Sequence, residues 1–521
     1  MYTQALWDDW SKLEEENYKL IRNKEGKTQR KYLKKGYQHF DPKVWFPTEK
    51  SKIQSILKNG LKVQNSKGNK SWYSFAPFIK TLIKTPRYKF QKEEEEYDLE
   101  TKTRPISYAS HMDSLIFGFY SFALTKQYET YISNEDFSEC ILAYRSNLDG
   151  KCNIQFAKEV FDEVKRRGEC TAVALDIKGY FDSIDHGILL ANWKIVGGGW
   201  IPEDQLKIFK ALTKYTYVNR TSFLKKYGIN LRKVDSPLIR LLDFIPGKHT
   251  FEKYDQLRKD QLMVTNGISK TTGRFAGVPQ GSPISALLSN IYLLEFDKLM
   301  RQKSLAEGFF YRRYSDDILI VCDTDKAKEL QQFTIDIIKK DYWLIIQDKK
   351  VERTDFKKNS TGKIRAFSKK KLDKTGETKI DKANESQYYG ELQYLGFEFN
   401  GQRVIIRPSS LSRYFRKMTS RIVKTTSMAY SGKTSSRKIW TEQLFHRYSH
   451  LGKRNFLTYV YNASKEEYKN GKGEIKNGMN DAAIRRQVRC HFDILKRKLA
   501  GKNMQRFLYK RKKQPVGLKK L

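Results

Sequence analysis

The chain contains 521 residues, which is enough for roughly two to four folding units with hydrophobic cores of their own. Its 100 Lys and Arg residues against 59 Asp and Glu give a net charge of +41, which favours a polyanionic partner such as nucleic acid over an acidic small molecule. The 5 cysteines have no C-x-x-C spacing, which argues against a zinc ribbon and a disulfide framework. No apolar run is long enough to cross a membrane and the first residues lack a signal-peptide pattern, so we expect a cytoplasmic protein with no membrane partner.

The first part of the chain is basic and aromatic. Residues 1–100 show no strong periodicity and are interpreted as an ordered N-terminal extension. The acidic run at 93–96 is typical of a solvated linker. Arg104 stands directly before Pro105, which indicates extended backbone. Arg104 is therefore either a phosphate-binding residue or an ordinary surface arginine.

Two amphipathic helices and a buried strand follow. Residues 111–129 and 154–164 have apolar residues at helical spacing, whereas 171–175 is a run of small and β-branched residues that predicts a strand. That strand ends at Asp176. A carboxylate at the end of a buried strand is one half of a metal site.

A hairpin is predicted around Tyr314-Ser315-Asp316-Asp317. The runs at 309–313 and 318–322 are rich in aromatic and β-branched residues, so both should be strands of a buried sheet. Asp316 and Asp317 would then lie at its edge, where adjacent carboxylates repel each other unless a cation neutralises them, and hard oxygen ligands suit Mg²⁺. The alternative is a polar turn without function, because Asp and Ser are common turn residues.

Carboxylates from two different strands are what a two-metal phosphoryl-transfer centre requires. Asp176 and the hairpin pair Asp316 and Asp317 supply them. The loop at 277–285 is rich in Gly and Pro and precedes a helical stretch at 286–300, so its backbone could approach a triphosphate or a template strand closely.

Fewer elements can be predicted in the remaining parts of the chain. Residues 187–270 are a long interval without an assigned role. After it, the sequence predicts a helix at 326–340, a strand at 344–346 and a mobile insertion at 357–382. Asn400-Gly401 is a strong hairpin signal. Residues 409–521 hold 29 Lys and Arg against 6 Asp and Glu, and their helical spacing predicts a basic helical domain that lies along a nucleic-acid backbone.

Taken in order, these motifs resemble the successive motifs of reverse transcriptases. They comprise residues 104–106, 144–145, 174–182, 277–283, 314–317, 349–350 and 394–396. The resemblance implies an α+β right-hand polymerase fold. Residues 1–100 would hold the N-terminal extension and the start of the fingers, and residues 101–408 the fingers and palm, interrupted by a long insertion at 187–270. The resemblance also makes residues 409–521 a basic, mainly α-helical, thumb-like domain.

The resemblance also implies roles for single residues. Asp176 and Asp316 match the metal ligands, with the carbonyl of Ile177 completing the site and Asp317 beside it, for two Mg²⁺ ions that Mn²⁺ can replace. The nucleotide-binding positions that it implies are Arg104, Tyr180, Phe181, Gln280, Gly281 and Lys350. Among these, Phe181 matches the aromatic gate beneath the sugar, and Lys350 is the weaker match because Lys349 is adjacent.

Within the superfamily the chain is similar to the bacterial lineages, those of group II introns, retrons and the defence-associated enzymes. Residues 106–113, 128–129 and 143–145 resemble the defence-associated set most. This implies synthesis of DNA from dNTPs on a dedicated non-coding RNA in antiviral defence, with a homo-oligomer left open. The alternatives are a group II intron maturase-like reverse transcriptase and a catalytically silent RNA-binding protein.

Overall fold

The computed structural model of the protein describes residues 2–22, 28–34, 36–64, 68–91, 96–230, 240–269, 273–368, 385–430 and 439–513. The N-terminal region alternates helices with short hairpins. Its elements are α1 (Gln4–Glu15), β1 (Tyr18–Arg22), β2 (Thr28–Tyr32), α2 (Phe46–Lys58), β3 (Lys62–Gln64) and β4 (Lys70–Trp72). Residues of α1 and α2 are buried in the same hydrophobic core as the helix that follows Ser110, so this region is part of the main body.

A long antiparallel hairpin follows the N-terminal region. Strands β5 (Phe78–Gln91) and β6 (Glu96–Tyr108) are antiparallel, and Gln91 pairs with Glu96. Residues 92–95 lie outside the described part of the chain, so the interpretation of the acidic run as a solvated linker stays a prediction. The predicted boundary at 100–101 falls inside β6, which carries Arg104.

The next section contains both predicted helices and the predicted strand. Its elements are α3 (His111–Ser133), α4 (Asn153–Arg167), β7 (Cys170–Asp176), α5 (Tyr180–Ser183), α6 (His186–Val196), α7 (Glu203–Thr213), β8 (Thr216–Asn219), α8 (Arg220–Lys226), α9 (Thr250–Lys259) and β9 (Met263–Thr265). The helices at 111–129 and 154–164 and the strand at 171–175 are confirmed. Strands β8 and β9 extend the β5–β6 hairpin in the order β6-β5-β8-β9, so the interval 187–270 contributes to this sheet.

The central sheet is formed by the chain between 170 and 368. Further elements are α10 (Ser285–Tyr292), α11 (Leu294–Glu307), β10 (Phe310–Tyr314), β11 (Asp317–Cys322), α12 (Ala327–Lys340), β12 (Glu352–Lys358) and β13 (Ile364–Ser368). The sheet has the order β10-β11-β7-β12-β13, and each neighbouring pair is antiparallel. The predicted hairpin at 314–317 is confirmed.

Two local predictions are wrong. Residues 344–346 do not form a strand and make only an isolated bridge between Ile346 and Ile177, because the chain touches the end of β7 at one point and then turns into a short 3₁₀ helix, Asp348–Lys350. Residues 357–368 do not belong to a mobile insertion, since they contribute to β12 and β13. The remainder of that segment, 369–384, lies outside the described residues.

The C-terminal region begins with a three-stranded sheet and continues mainly as helices. Its elements are β14 (Leu392–Tyr394), β15 (Phe397–Phe399), β16 (Val404–Ile406), α13 (Pro408–Ala429), α14 (Glu442–Tyr448), α15 (Phe456–Ser464), β17 (Glu467–Lys469), β18 (Ile475–Asn477), α16 (Ala482–Arg486) and α17 (His491–Lys513). The turn at Asn400-Gly401 joins β15 to β16 as predicted. In the described parts of the chain, no helix combines the length and hydropathy needed to span a membrane.

The central sheet separates two large hydrophobic cores. Side chains alternate along each strand, since a strand has a period of two residues. In β11, Ile318 and Ile320 enter a core formed with α3, α10 and α11, whereas Leu319 and Val321 enter a second core. This second core, here called the shared core, also contains residues of α4, β14–β16 and the C-terminal helices as far as Leu495.

Candidate active site

Three carboxylates meet at one edge of the central sheet. Asp176 is the last residue of β7, and its register partner on β11 is Asp317, the first residue of that strand. Asp316 precedes it in the turn, and its carbonyl accepts a hydrogen bond of 3.0 Å from the amide of Ile177. The turn needs a left-handed residue, which Ser315 supplies with φ of 58°. The predicted convergence of two strands on one carboxylate cluster is therefore present.

The electrostatics of the cluster indicate uncompensated negative charge. Burial raises the pKa of Asp317 to about 7, and the neighbouring charges of Asp316 and Asp176 add to the shift while the Lys350 ammonium opposes it. The pKa of Asp316 is also raised, again mainly by burial and then by Asp176. The neighbouring carboxylates make ionisation of Asp316 and Asp317 less favourable, so a bound cation would stabilise the charged form of both.

Lys350 lies inside the cluster. Its ammonium makes an ion pair with Oδ1 of Asp176, and the residue is placed there by the 3₁₀ helix Asp348–Lys350. The backbone before that helix is tied to the end of β7, because the amide of Gln347 donates to the carbonyl of Asp176 over 2.9 Å. The predicted nucleotide-binding lysine therefore faces the site and holds one of the proposed metal ligands.

The cluster fits Mg²⁺ in ligand type and charge. Carboxylate oxygens are the ligands that Mg²⁺ prefers, and it keeps several waters of its own. In the part of the chain that the structure describes, no group of three or more His, Cys, Asp or Glu side chains is positioned to hold a metal ion. Since Lys350 pairs with Asp176, binding of a cation there requires the ammonium to move aside.

A buried ion pair that was not predicted fixes the hairpin turn. Arg313 and Asp297 are fully buried, with Nε to Oδ1 at 2.8 Å and Nη2 to Oδ2 at 2.5 Å. Nη1 of Arg313 donates to the carbonyl of Ser315 over 3.0 Å, and the hydroxyl of Tyr311 donates to Asp297 over 2.6 Å. An arginine inside an apolar strand was the signal that could have revealed the pair.

Tyr180 and Phe181 have different environments. Tyr180 is 3% exposed and donates its hydroxyl to the carbonyl of Ser289, so its side chain belongs to the core and its assignment to the nucleotide site is corrected. Phe181 is half-buried, with its ring centroid 5.9 Å from that of Tyr180. Its carbonyl accepts a hydrogen bond of 2.9 Å from the amide of Val278, which brings it next to the predicted nucleotide loop.

The loop at 277–283 connects that position to strand β6. The amide of Ser107 donates to the carbonyl of Gln280 over 2.7 Å. Gly281 has φ of +118°, and a Cβ there would lie 2.9 Å from Cγ2 of Ile106, so the loop approaches the strand too closely for a side chain. Arg104 is exposed two residues earlier on that strand. The structure thus places Gln280 and Gly281 between Phe181 and the strand of Arg104.

The C-terminal part of this site lies in a segment that matches a known protein family. Residues 241–399 match the family described as reverse transcriptase (RNA-dependent DNA polymerase). The chain contains a reverse transcriptase domain. The matched residues include the Gln280 loop, Asp316, Asp317 and Lys350, while Asp176 lies before the match and is joined to it by the pairing of β7 with β11. The match supports RNA-directed DNA polymerase activity.

Solved structures with similarity to the chain include three structures of telomerase from two Candida species. A telomerase from Candida albicans in complex with the TWJ fragment of telomeric RNA has 12% identity and a TM-score of 0.34, over 94% of this chain and 68% of that one. A Candida tropicalis telomerase with the same type of RNA fragment has 9% identity and a TM-score of 0.34, over 94% and 70%. Apo telomerase from Candida tropicalis has 11% identity and a TM-score of 0.33, and this chain covers 56% of it. No curated protein matches the chain.

Proposed function

We propose that the protein is an RNA-directed DNA polymerase that uses two Mg²⁺ ions held by Asp176, Asp316 and Asp317. The observation that carries the proposal is the pairing of β7 with β11, which sets Asp176 directly opposite Asp317 at a sheet edge. The raised pKa of Asp317, to about 7, supports it, because burial and two neighbouring carboxylates leave negative charge for a cation to offset.

Different residues of the site would bind the metal ions and the phosphates. Asp176 and Asp316 would hold the ions, with the Ile177 carbonyl as a further ligand. When bound, the two ions activate the attacking 3′ oxygen and stabilise the leaving pyrophosphate. Lys350, released from Asp176, would contact the phosphates of the incoming nucleotide as a point charge.

Selection of the nucleotide falls to the residues around the 277–283 loop. Gln280 and Gly281 would line the incoming dNTP, and Arg104 would contact its triphosphate from β6. Phe181 would lie under the sugar, where its ring overlaps the position of a 2′ hydroxyl and offers it no hydrogen bond. The product would therefore be DNA.

The biological role that we propose is bacterial antiviral defence with a dedicated non-coding RNA as template. The similarity of residues 106–113, 128–129 and 143–145 to the defence-associated lineage supports this role. The 29 Lys and Arg residues of 409–521 support binding of a long RNA, because each phosphate contact releases counterions. Sequencing of the nucleic acid that co-purifies with the protein tests the template. Group II intron RNA in that fraction would replace this role by the maturase-like alternative.

Primer extension tests the activity. Asp176→Asn, and Asp316→Asn together with Asp317→Asn, should abolish dNTP incorporation on an RNA template and leave RNA binding intact, since a carboxamide keeps the shape but not the charge. Asp325→Asn, an exposed carboxylate beyond the end of β11, is the matched control and should retain activity. Incorporation at the wild-type rate by the Asp176→Asn variant or by the Asp316→Asn, Asp317→Asn double variant would refute the metal assignment. A wild type that binds RNA but incorporates nothing would favour the silent RNA-binding alternative.

The defence role has a separate test. Cells that express the wild-type protein with its RNA should reduce phage plaque formation, and cells that express Asp176→Asn at the same level should not. Equal plaque numbers with both proteins, at equal expression and with polymerase activity present, would refute the defence role and leave the polymerase assignment in place.

A further inference from the structure

A second site lies in the C-terminal helical region. A cavity of about 690 Å³ opens between α13, α14 and the turn that leads into α15. We call it the basic pocket, and its cationic lining consists of Arg413, Lys417, Arg447, Lys453 and Arg454. Its volume falls within the range of sites that hold small ligands, about 300–1,000 Å³. The pocket therefore has room for a nucleotide-sized group.

The walls of the pocket are built by specific contacts. Arg413 and Lys417 are four residues apart and share one face of α13. On the opposite side, Nδ2 of Asn455 donates to the carbonyls of His446 over 3.0 Å and Ser449 over 2.8 Å, which closes the turn at 449–455. A Cβ at Gly452 would lie 1.7 Å from the carbonyl oxygen of His446, so this turn accepts only glycine there. Lys453 and Arg454 project from a turn with little freedom.

The floor of the pocket is aromatic. The hydroxyl of Tyr414 donates to the carbonyl of Tyr448 over 2.9 Å, and its ring is stacked with that of Phe456 at a centroid distance of 4.9 Å. Tyr414 and Tyr448 are buried, while Phe456 is half-buried and presents an apolar surface to the pocket. The floor can therefore pack against a sugar or base while the rim contacts phosphate.

The five cations are not neutralised by the protein. Across the described residues, none of them makes an ion pair or a side-chain hydrogen bond, and no carboxylate lines the pocket. Elsewhere in the described chain some neighbouring cations are offset by a carboxylate, as in the pairs of Arg166 and Arg167 with Glu163. Five like charges around one cavity repel each other, so an anion bound between them would stabilise the arrangement.

We propose that the basic pocket binds the terminal phosphates of a nucleotide, as presented by the 5′ end of an RNA or by a free nucleoside triphosphate. An internal phosphodiester carries one negative charge, and a cavity of this size admits one nucleotide. A terminal phosphate carries about −1.5 to −2 at pH 7, and each further phosphate adds to that charge. Five unpaired cations match a terminal di- or triphosphate better than a backbone phosphate. This proposal names a ligand for the protein of the proposed function. It rests on the proposed function only where it chooses RNA as the source of the phosphates.

Binding of matched RNAs to the full-length protein tests this inference. Three short RNAs of one sequence, with 5′-triphosphate, 5′-monophosphate and 5′-hydroxyl ends, are compared by fluorescence anisotropy without dNTPs or divalent cations. We expect affinity to fall in that order, by about tenfold or more between the first and the last, because charge-assisted hydrogen bonds are lost. Equal affinity of the three RNAs would overturn the proposal and indicate contacts to internal phosphates only.

Variants on one helix provide the matched control. Arg413→Ala with Lys417→Ala removes two charges from the pocket, and Arg416→Ala with Lys424→Ala removes two exposed charges of α13 that do not line it. The first variant should lose the preference for the triphosphate end and the second should keep it. Loss of the preference in both variants to the same extent would also overturn the proposal.

Competition identifies the source of the phosphates. If ATP displaces the 5′-triphosphate RNA at ATP concentrations near the Kd of that RNA, the pocket binds free nucleotides. If only a second 5′-triphosphate RNA displaces it, the pocket binds RNA ends. The Asp176→Asn variant should bind all three RNAs as the wild type does. The two assignments can therefore fail independently. A pocket that does not bind terminal phosphates would leave the polymerase assignment in place, and an inactive polymerase would leave the pocket assignment in place.

Discussion

Removal of the carboxylate of Asp297 should destabilise the protein more than any change at the sheet edge itself. Asp297 and Arg313 are both fully buried and form a bidentate ion pair. Asp297→Asn keeps the size of the side chain but leaves the guanidinium of Arg313 without a counter-charge in the core. A buried arginine cannot become neutral by losing its proton, because the pKa of the guanidinium is too high.

The size of the effect follows from the burial. Breaking one side of a buried ion pair costs about 3–5 kcal/mol, because the remaining charge stays desolvated. For a cooperative unit of 150–250 residues this corresponds to a fall in Tm of roughly 6–20 °C. The matched surface change is Asp323→Asn, since Asp323 is 61% exposed and pairs with Arg167 at 3.5 Å. That substitution should cost about 0–1 kcal/mol.

A double variant separates stability from the position of the turn. Arg313→Met with Asp297→Leu removes both charges, and such replacements are often neutral or stabilising. The variant should therefore recover part of the lost Tm, because it removes the unpaired charge but leaves the buried hydroxyl of Tyr311 without its acceptor. It still lacks the hydrogen bond from Arg313 to the Ser315 carbonyl, so the turn that carries Asp316 loses its anchor. We expect primer extension to remain below that of the wild type.

Thermal denaturation and primer extension on the same samples check this reasoning. An Asp297→Asn protein with the Tm of the Asp323→Asn control would refute the buried-charge argument. A double variant with both the stability and the polymerase rate of the wild type would show that the Ser315 contact does not position the turn.

Two further changes test other parts of the site, and a third tests a buried carboxylate outside it, Asp113 in the first turn of α3. Phe181→Val should admit ribonucleotides while dNTP use survives, measured by incorporation of each labelled nucleotide on one RNA template, and unaltered discrimination would contradict the gate assignment. Gly281→Ala should raise the KM for dNTPs and lower Tm, because φ of +118° and the approach to Ile106 strain the loop by about 1–3 kcal/mol; an unchanged KM would separate this loop from the nucleotide. Burial raises the pKa of Asp113 from 3.8 to about 7, so the wild type should lose stability relative to Asp113→Asn as pH rises from about 4 to 7 and level off above. A Tm difference between these two proteins that is independent of pH would contradict that shift.

The parts of the fold that depend on local sequence could be predicted. Strand β7 and the β10–β11 hairpin were recognisable because β-branched and aromatic runs flank a short polar turn, and because such runs must be buried. Placing Asp176 and Asp317 at the same edge needed only the expectation that both strands belong to one sheet. The turn at Asn400-Gly401 was recognisable from its turn chemistry alone.

The parts that depend on distant residues could not be predicted. The pair of Lys350 with Asp176 spans 174 positions in the sequence, and neither residue indicates the other. Tyr180 was assigned to the nucleotide site from the resemblance to reverse transcriptases, but the short helix that begins at Tyr180 turns its ring into the core. The β6-β5-β8-β9 sheet was missed because its strands come from segments more than 100 positions apart.

The shared core has a consequence for how the protein is made. One face of the central sheet is covered by residues that extend to Leu495, so this face stays exposed on the ribosome until almost the whole chain has been synthesised. Domains generally fold as units in the order of synthesis, and exposed apolar strands are prone to aggregate. A nascent chain that stops before α13 would display the apolar residues of β14–β16 and of the sheet behind them. Premature termination in the C-terminal region should therefore yield insoluble protein or a chaperone substrate, and not a smaller working enzyme.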